Sequence, residues 1–120
     1  MSIRLLAVLG AVSTGLVFGG LALAAMPPKL AGSVGPGFTI GLKDAKGQKV
    51  KTLKPGKYSL TIKDQASIHD WTLTGPGYSN KHLTTIPFTG TKSNIAVTLK
   101  AGKYKYFCSL HGFSGTFTVK

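Results

Sequence analysis

From Phe38 to the C-terminus, apolar residues recur at every second position in short runs, and Gly or Pro interrupts each run. Successive side chains of a strand point to opposite faces, so a period of two fits strands with one buried face. A helix would space its apolar positions three and four apart. The pattern predicts strands over 38–42, 50–53, 58–62, 68–73, 95–99, 104–108 and 115–119. Turns are predicted at Asp44–Gly47, Lys54–Gly56, Gly75–Gly77 and Lys100–Gly102, and residues 78–92 read as a long loop with one short strand. No segment beyond residue 25 has the spacing of an amphipathic helix. Short strands with regular turn signals make this an all-β sandwich or barrel. Leu53-Lys-Pro-Gly-Lys-Tyr58 and Leu99-Lys-Ala-Gly-Lys-Tyr104 repeat one pattern, a strand ending in Leu, a Gly turn and a strand opening at Tyr. A single repeated pair implies two turns of like geometry and not a solenoid.

The first quarter of the chain differs. Residues 5–25 carry no charge and follow Arg4, and Ala22-Leu23-Ala24 is a small-x-small cleavage pattern. This reads as an export signal over residues 1–24, with an uncleaved membrane anchor as the alternative because the run is long for a cleaved signal. Residues 25–37 are Pro- and Gly-rich and read as a leading loop, which leaves 38–120 as one domain. The location expected is periplasmic or extracellular.

Beyond the signal the chain holds fourteen lysines, no arginine, three aspartates and no glutamate, a formal charge of +11. The lysines are spread from Lys29 to Lys120 without a cluster, and export removes the chain from nucleic acid. The balance favours an acidic protein partner or an anionic membrane surface. The chain has a single cysteine, Cys108. Exported domains use cysteines in pairs, so a lone thiol is either inert and buried or a metal ligand.

Cys108-Ser-Leu-His111 places a thiolate and an imidazole three residues apart, where a strand ends and the Gly112–Gly115 loop begins. His69 lies 39 residues upstream, in another alternating run. One sulfur and two nitrogens are the trigonal set of an electron-transfer copper site. His82 sits in a polar loop and reads as a surface histidine. Trp71, Phe107 and Phe117 read as core, as do Tyr58, Tyr104 and Tyr106. Asp44, Asp64 and Asp70 form no evident acid–base pair, and a Cys108–His111 nucleophile–base dyad lacks an orienting partner.

These residues resemble the cupredoxin family, the plastocyanin, amicyanin and pseudoazurin group, over about residues 36–120. The likeness is carried by Leu53–Tyr58, His69-Asp-Trp71 with Leu73–Gly77, Leu99–Tyr104, and Tyr106–His111 running into Gly115–Val119. It implies an eight-stranded or similar Greek-key sandwich with one copper ion near one end, on His69, Cys108 and His111. It also implies a monomeric carrier of single electrons between redox proteins. The family pattern continues to an axial Met, but the only methionine beyond the signal is Met26. Counting by two family spacings puts Phe113 or Ser114 in that slot. Neither is a good copper ligand, so a three-coordinate site is expected, with the Ile68 carbonyl as a candidate weak donor. Asp70 stands where the family has Asn; its carboxylate either accepts from the Ser109 amide or hydroxyl and ties the two ligand loops, or is solvated in a turn. An exported Cu(I) chaperone or buffer, and a metal-free structural sandwich, are the competing functions.

Overall fold

The computed structural model describes residues 26–120. The signal expected over residues 1–24 lies outside them. The described residues form nine strands: β1 (Lys29–Val34), β2 (Ile40–Lys43), β3 (Thr52–Leu53), β4 (Gly56–Asp64), β5 (Thr72–Gly75), β6 (Tyr78–His82), β7 (Gly90–Leu99), β8 (Gly102–Phe107) and β9 (Ser114–Val119). One sheet has the order β2-β1-β4-β7 and the other β3-β9-β8-β5-β6. β1 pairs parallel to β4 and β3 parallel to β9; the remaining pairs are antiparallel. The chain crosses repeatedly between the sheets, giving the Greek-key sandwich.

Alternation decides what each strand buries. In β4, Tyr58, Leu60 and Ile62 point inward; in β8, Tyr104 and Tyr106 do, and in β9, Phe117 and Val119. Trp71 fills the centre, fully buried, with its ring stacked on Tyr106 at 5.2 Å and 7°. Its indole N–H donates to the Gly41 carbonyl at 3.2 Å, so the one polar atom of this large side chain is satisfied. Tyr104 and Phe117 continue the stack at 5.1 Å. The two repeated turns share one device. Tyr58 donates its hydroxyl to the Lys54 carbonyl at 2.6 Å, and Tyr104 donates to the Lys100 carbonyl at 3.1 Å, so each tyrosine clamps the turn that precedes it.

Four expectations need correction. The strand expected over 68–73 is largely a loop, since β5 begins only at Thr72. The leading loop expected over 25–37 contains β1, in which Leu30, Gly32 and Val34 face inward. Gly32 reads as a breaker in sequence, but a Cβ there would lie 2.4 Å from the Ile62 side chain, so the glycine admits the Ile62 and Trp71 side chains. Phe38 does not open a strand, because β2 begins at Ile40 and Phe38 stands in the β1–β2 loop. Phe107 is not core: Tyr104 and Tyr106 take the inward positions of β8, which turns Phe107 to the outer face beneath the Lys105 ammonium.

Candidate metal centre

Four loops meet at one end of the sandwich. They follow β1, β4, β6 and β8 and span residues 35–39, 65–71, 83–89 and 108–113. Cys108 leaves β8 with inward parity and is fully buried. The short loop after it is closed by two backbone bonds: the Cys108 N–H donates to the Phe113 carbonyl at 3.1 Å, and the Gly112 N–H to the Cys108 carbonyl at 2.8 Å. Gly112 adopts φ +74°, the left-handed turn a side chain would strain. This fold brings His111 back over Cys108. In the facing loop the His69 N–H donates to the Ala66 carbonyl at 3.1 Å, and the His69 side chain is buried.

The three residues singled out in the sequence come together. His69 Nδ1 and His111 Nδ1 lie 2.9 Å apart, and the Cys108 sulfur lies 3.7 Å from each. This triangle leaves a point roughly 2.0 Å from all three atoms, close to the bond lengths of small first-row metal ions to nitrogen and, within a few tenths of an ångström, to sulfur. The donor set and its spacing suit a single copper ion, with the composition of a type 1 site that lacks an axial methionine. The near-equal placement of two imidazoles about a buried sulfur fits a shared ion better than a nucleophile with one base. His69 and Cys108 are buried, while His111 is exposed at the end of the molecule.

Of its two expected roles Asp70 takes the first and ties the ligand loops. It accepts from the Ser109 N–H at 2.7 Å and from the Ser109 hydroxyl. The Thr72 hydroxyl donates to it at 3.1 Å, and His82 Nδ1 lies 3.3 Å from its second oxygen. Burial alone would raise this carboxyl, but the Ser109 hydroxyl and amide, then Thr72 and His82, outweigh it and hold the group below its ordinary value. His82 stays half-exposed and does not reach the metal donors; its Nδ1 lies 2.8 Å from the Thr72 hydroxyl, so it belongs to the Asp70 network.

Of the two axial candidates, Phe113 faces the site. Its ring packs edge-on against His69 at 4.8 Å, whereas Ser114 opens β9 with an exposed side chain. Phe38, unforeseen as a site residue, stands 5.1 Å from the His69 ring, 5.4 Å from His111 and 5.8 Å from Phe113. The Gly35 N–H donates to the Thr39 carbonyl at 2.8 Å, closing the loop that presents it. The only signal in the sequence is an aromatic residue after Gly-Pro-Gly, which a strand-forming phenylalanine would share.

No protein-family model and no curated protein matches the chain. Among solved structures the chain is similar to rusticyanin from Thiobacillus ferrooxidans, with 21% identity over 79% of this chain and 77% of that chain and a TM-score of 0.47. A methionine-to-glutamine mutant of rusticyanin matches at 20% identity with the same coverages and a TM-score of 0.47. A further structure, of "copper protein rusticyanin", matches at 18% identity, also over 79% and 77% with a TM-score of 0.47.

Proposed function

We propose that this chain works as a cupredoxin, an exported protein that holds one copper ion on His69, Cys108 and His111 and carries single electrons between redox proteins. The observation that carries the reading is the convergence of one thiol and two imidazoles on a common point at bonding distance. A copper ion on this donor set supplies a one-electron couple. Cys108 would hold the ion through its sulfur and His69 and His111 through their Nδ1 atoms. Asp70, through Ser109, fixes the Cys108 loop against the His69 loop, so the donors change position little between oxidation states. Phe38 packs against both imidazoles, and Phe113 packs against the buried His69. His111 presents an exposed edge through which an electron enters or leaves.

The contact face supports this reading. Phe38, Ile68, Ile86 and Leu110 are large apolar residues left exposed, and all four lie in the loops of the metal end. Those loops carry no lysine, and only Lys63, Lys81 and Lys92 adjoin them, the Lys92 ammonium 4.8 Å from the Phe88 ring. The acidic partner expected from total charge is therefore weakly matched at this face, because most of the cationic groups sit elsewhere. The partner that fits is a redox protein with an apolar contact surface. Export rests on the uncharged run over residues 5–25; no helix among the described residues is long and apolar enough to cross a membrane.

Voltammetry of the copper-loaded chain tests the proposal. A reversible one-electron wave, with copper retained against a Cu(I) acceptor protein, is the expected result. An irreversible wave together with rapid loss of copper to the acceptor would instead favour copper handling.

A further inference from the structure

Lysine is distributed along the long axis of the sandwich in a way the sequence conceals. β1, β4, β6 and β8 run toward the metal end, so their beginnings, with the ends of β2, β3, β5, β7 and β9, form the opposite end. Lys46, Lys51, Lys54 and Lys100 lie in the loops of that opposite end, with Lys120 beside them, and Lys57 and Lys103 lie at the adjoining strand ends; all seven are exposed. Lys29 is level with Ser59, and Lys43 and its bridge partner Lys49 are level with Thr61, along the body of the sheet, while Lys63, Lys81 and Lys92 are the three lysines nearest the metal end. Opposing charge is scarce. Asp64 and Asp70 are buried, and Asp44 accepts from the Lys46 and Gln48 amides within the same end. The nine residues of β4, at about 3.3 Å each, set the two ends roughly 30 Å apart, several times the Debye length of about 8 Å at physiological ionic strength. The cationic end therefore does little for a protein that touches the metal end.

The same end receives the N-terminal segment. Met26-Pro-Pro leads directly into Lys29 at the start of β1, and the uncharged residues 5–25 precede it in the sequence. An apolar run of that length followed by a broad lysine surface is the arrangement that anionic headgroups attract. We propose that, in the chain that keeps residues 5–25 as a membrane anchor, the lysine end of the sandwich docks on an anionic phospholipid bilayer. The metal end then faces away from the membrane, toward soluble redox partners; that consequence rests on the electron-carrier reading, whereas the docking does not. Charge complementarity fits any anionic surface; the uncharged run of residues 5–25 that precedes Met26 in the sequence selects a bilayer over an acidic protein.

Lysine acetylation read by mass spectrometry tests this on the full chain reconstituted into vesicles. Pure phosphatidylcholine vesicles are compared with mixed phosphatidylglycerol–phosphatidylcholine vesicles. On the anionic vesicles Lys46, Lys54, Lys57 and Lys100 should label several-fold more slowly, Lys63 and Lys92 should label at unchanged rates, and high salt should erase the difference. A combined Lys46→Gln, Lys54→Gln, Lys57→Gln and Lys100→Gln variant should leave Lys51 and Lys103 unprotected, while a Lys63→Gln variant keeps the pattern. Equal labelling of all lysines on both vesicles, or protection centred on Lys63 and Lys92, would overturn the proposal. Protection given by soluble polyglutamate but not by anionic vesicles would overturn it in favour of an acidic protein. The metal-free chain should give the same pattern, so failure here leaves the copper reading standing.

Discussion

Phe113 is the residue where this centre departs most from the cupredoxin pattern that the sequence resembles, and the structure turns that departure into a directional test. Its ring packs at 4.8 Å from His69, so a methionine in its place brings a thioether toward the donors. A thioether donates electron density and favours the oxidised ion, and replacing an aromatic ring also wets the shell. Phe113→Met should lower the reduction potential by about 59 mV or more, a tenfold change for a one-electron couple. Ser114→Met, on an exposed side chain, should change it little; voltammetry reads both. Asp70 gives a second test at this scale. Its carboxyl is held below the ordinary value, so its stabilising contribution is complete above the unfolded value of about 3.9 and is lost as pH falls through the lower folded value. Asp70→Asn should cost about 1–3 kcal/mol near neutrality, since hydrogen bonds to a charged acceptor are lost, and denaturant titrations should show the deficit shrinking in acid. The convergence of His69, Cys108 and His111 was legible from their residue types, the strand pattern around them and the cupredoxin resemblance together, since the Cys-x-x-His spacing alone is a weak signal. Phe38 was not, since nothing in its neighbourhood distinguishes a ring over an imidazole from a ring in a sheet.

Among the elements, the strands with clean alternation were the ones the sequence revealed. β4, β8 and β9 each bury side chains of one parity, and their pattern is visible in a short window. β1 was hidden because its inward positions include Gly32, and the first half of β7 because Gly90–Asn94 is polar throughout and mostly exposed. Phe107 misled for a related reason: inward and outward aromatics adjoin at the end of β8, and parity alone does not say which face a residue next to a ligand takes. Close approach of β9 to β8 makes a further prediction. A Cβ at Gly115 would stand 2.3 Å from the Tyr106 ring, which is itself stacked between Trp71 and Phe117. Gly115→Ala should therefore destabilise the sandwich by about 1–3 kcal/mol, the usual cost of overpacking, as measured by urea unfolding.

For the molecule as a whole, the sandwich separates two surfaces that composition merges into one number. A charge of +11 suggested a cation attracting its redox partner, but the loops of the metal end hold no lysine and only Lys63, Lys81 and Lys92 adjoin them, whereas seven lysines gather at the other end. Strand direction decides this, and no reading of composition contains it. Above about 0.15 M salt, where screening acts over roughly 8 Å, electron transfer to a soluble partner should respond weakly to further ionic strength, as stopped-flow rates would show. Leu110→Ala or Phe38→Ala should slow the same reaction by removing contact area. All of this depends on the copper centre itself, which a visible spectrum of the purified chain titrated with Cu(II) tests most directly. One equivalent should produce an intense blue or green thiolate-to-copper band that saturates at one ion per chain and is absent in Cys108→Ser. A colourless Cu(II) adduct of the intact chain, or no saturable binding, would contradict it.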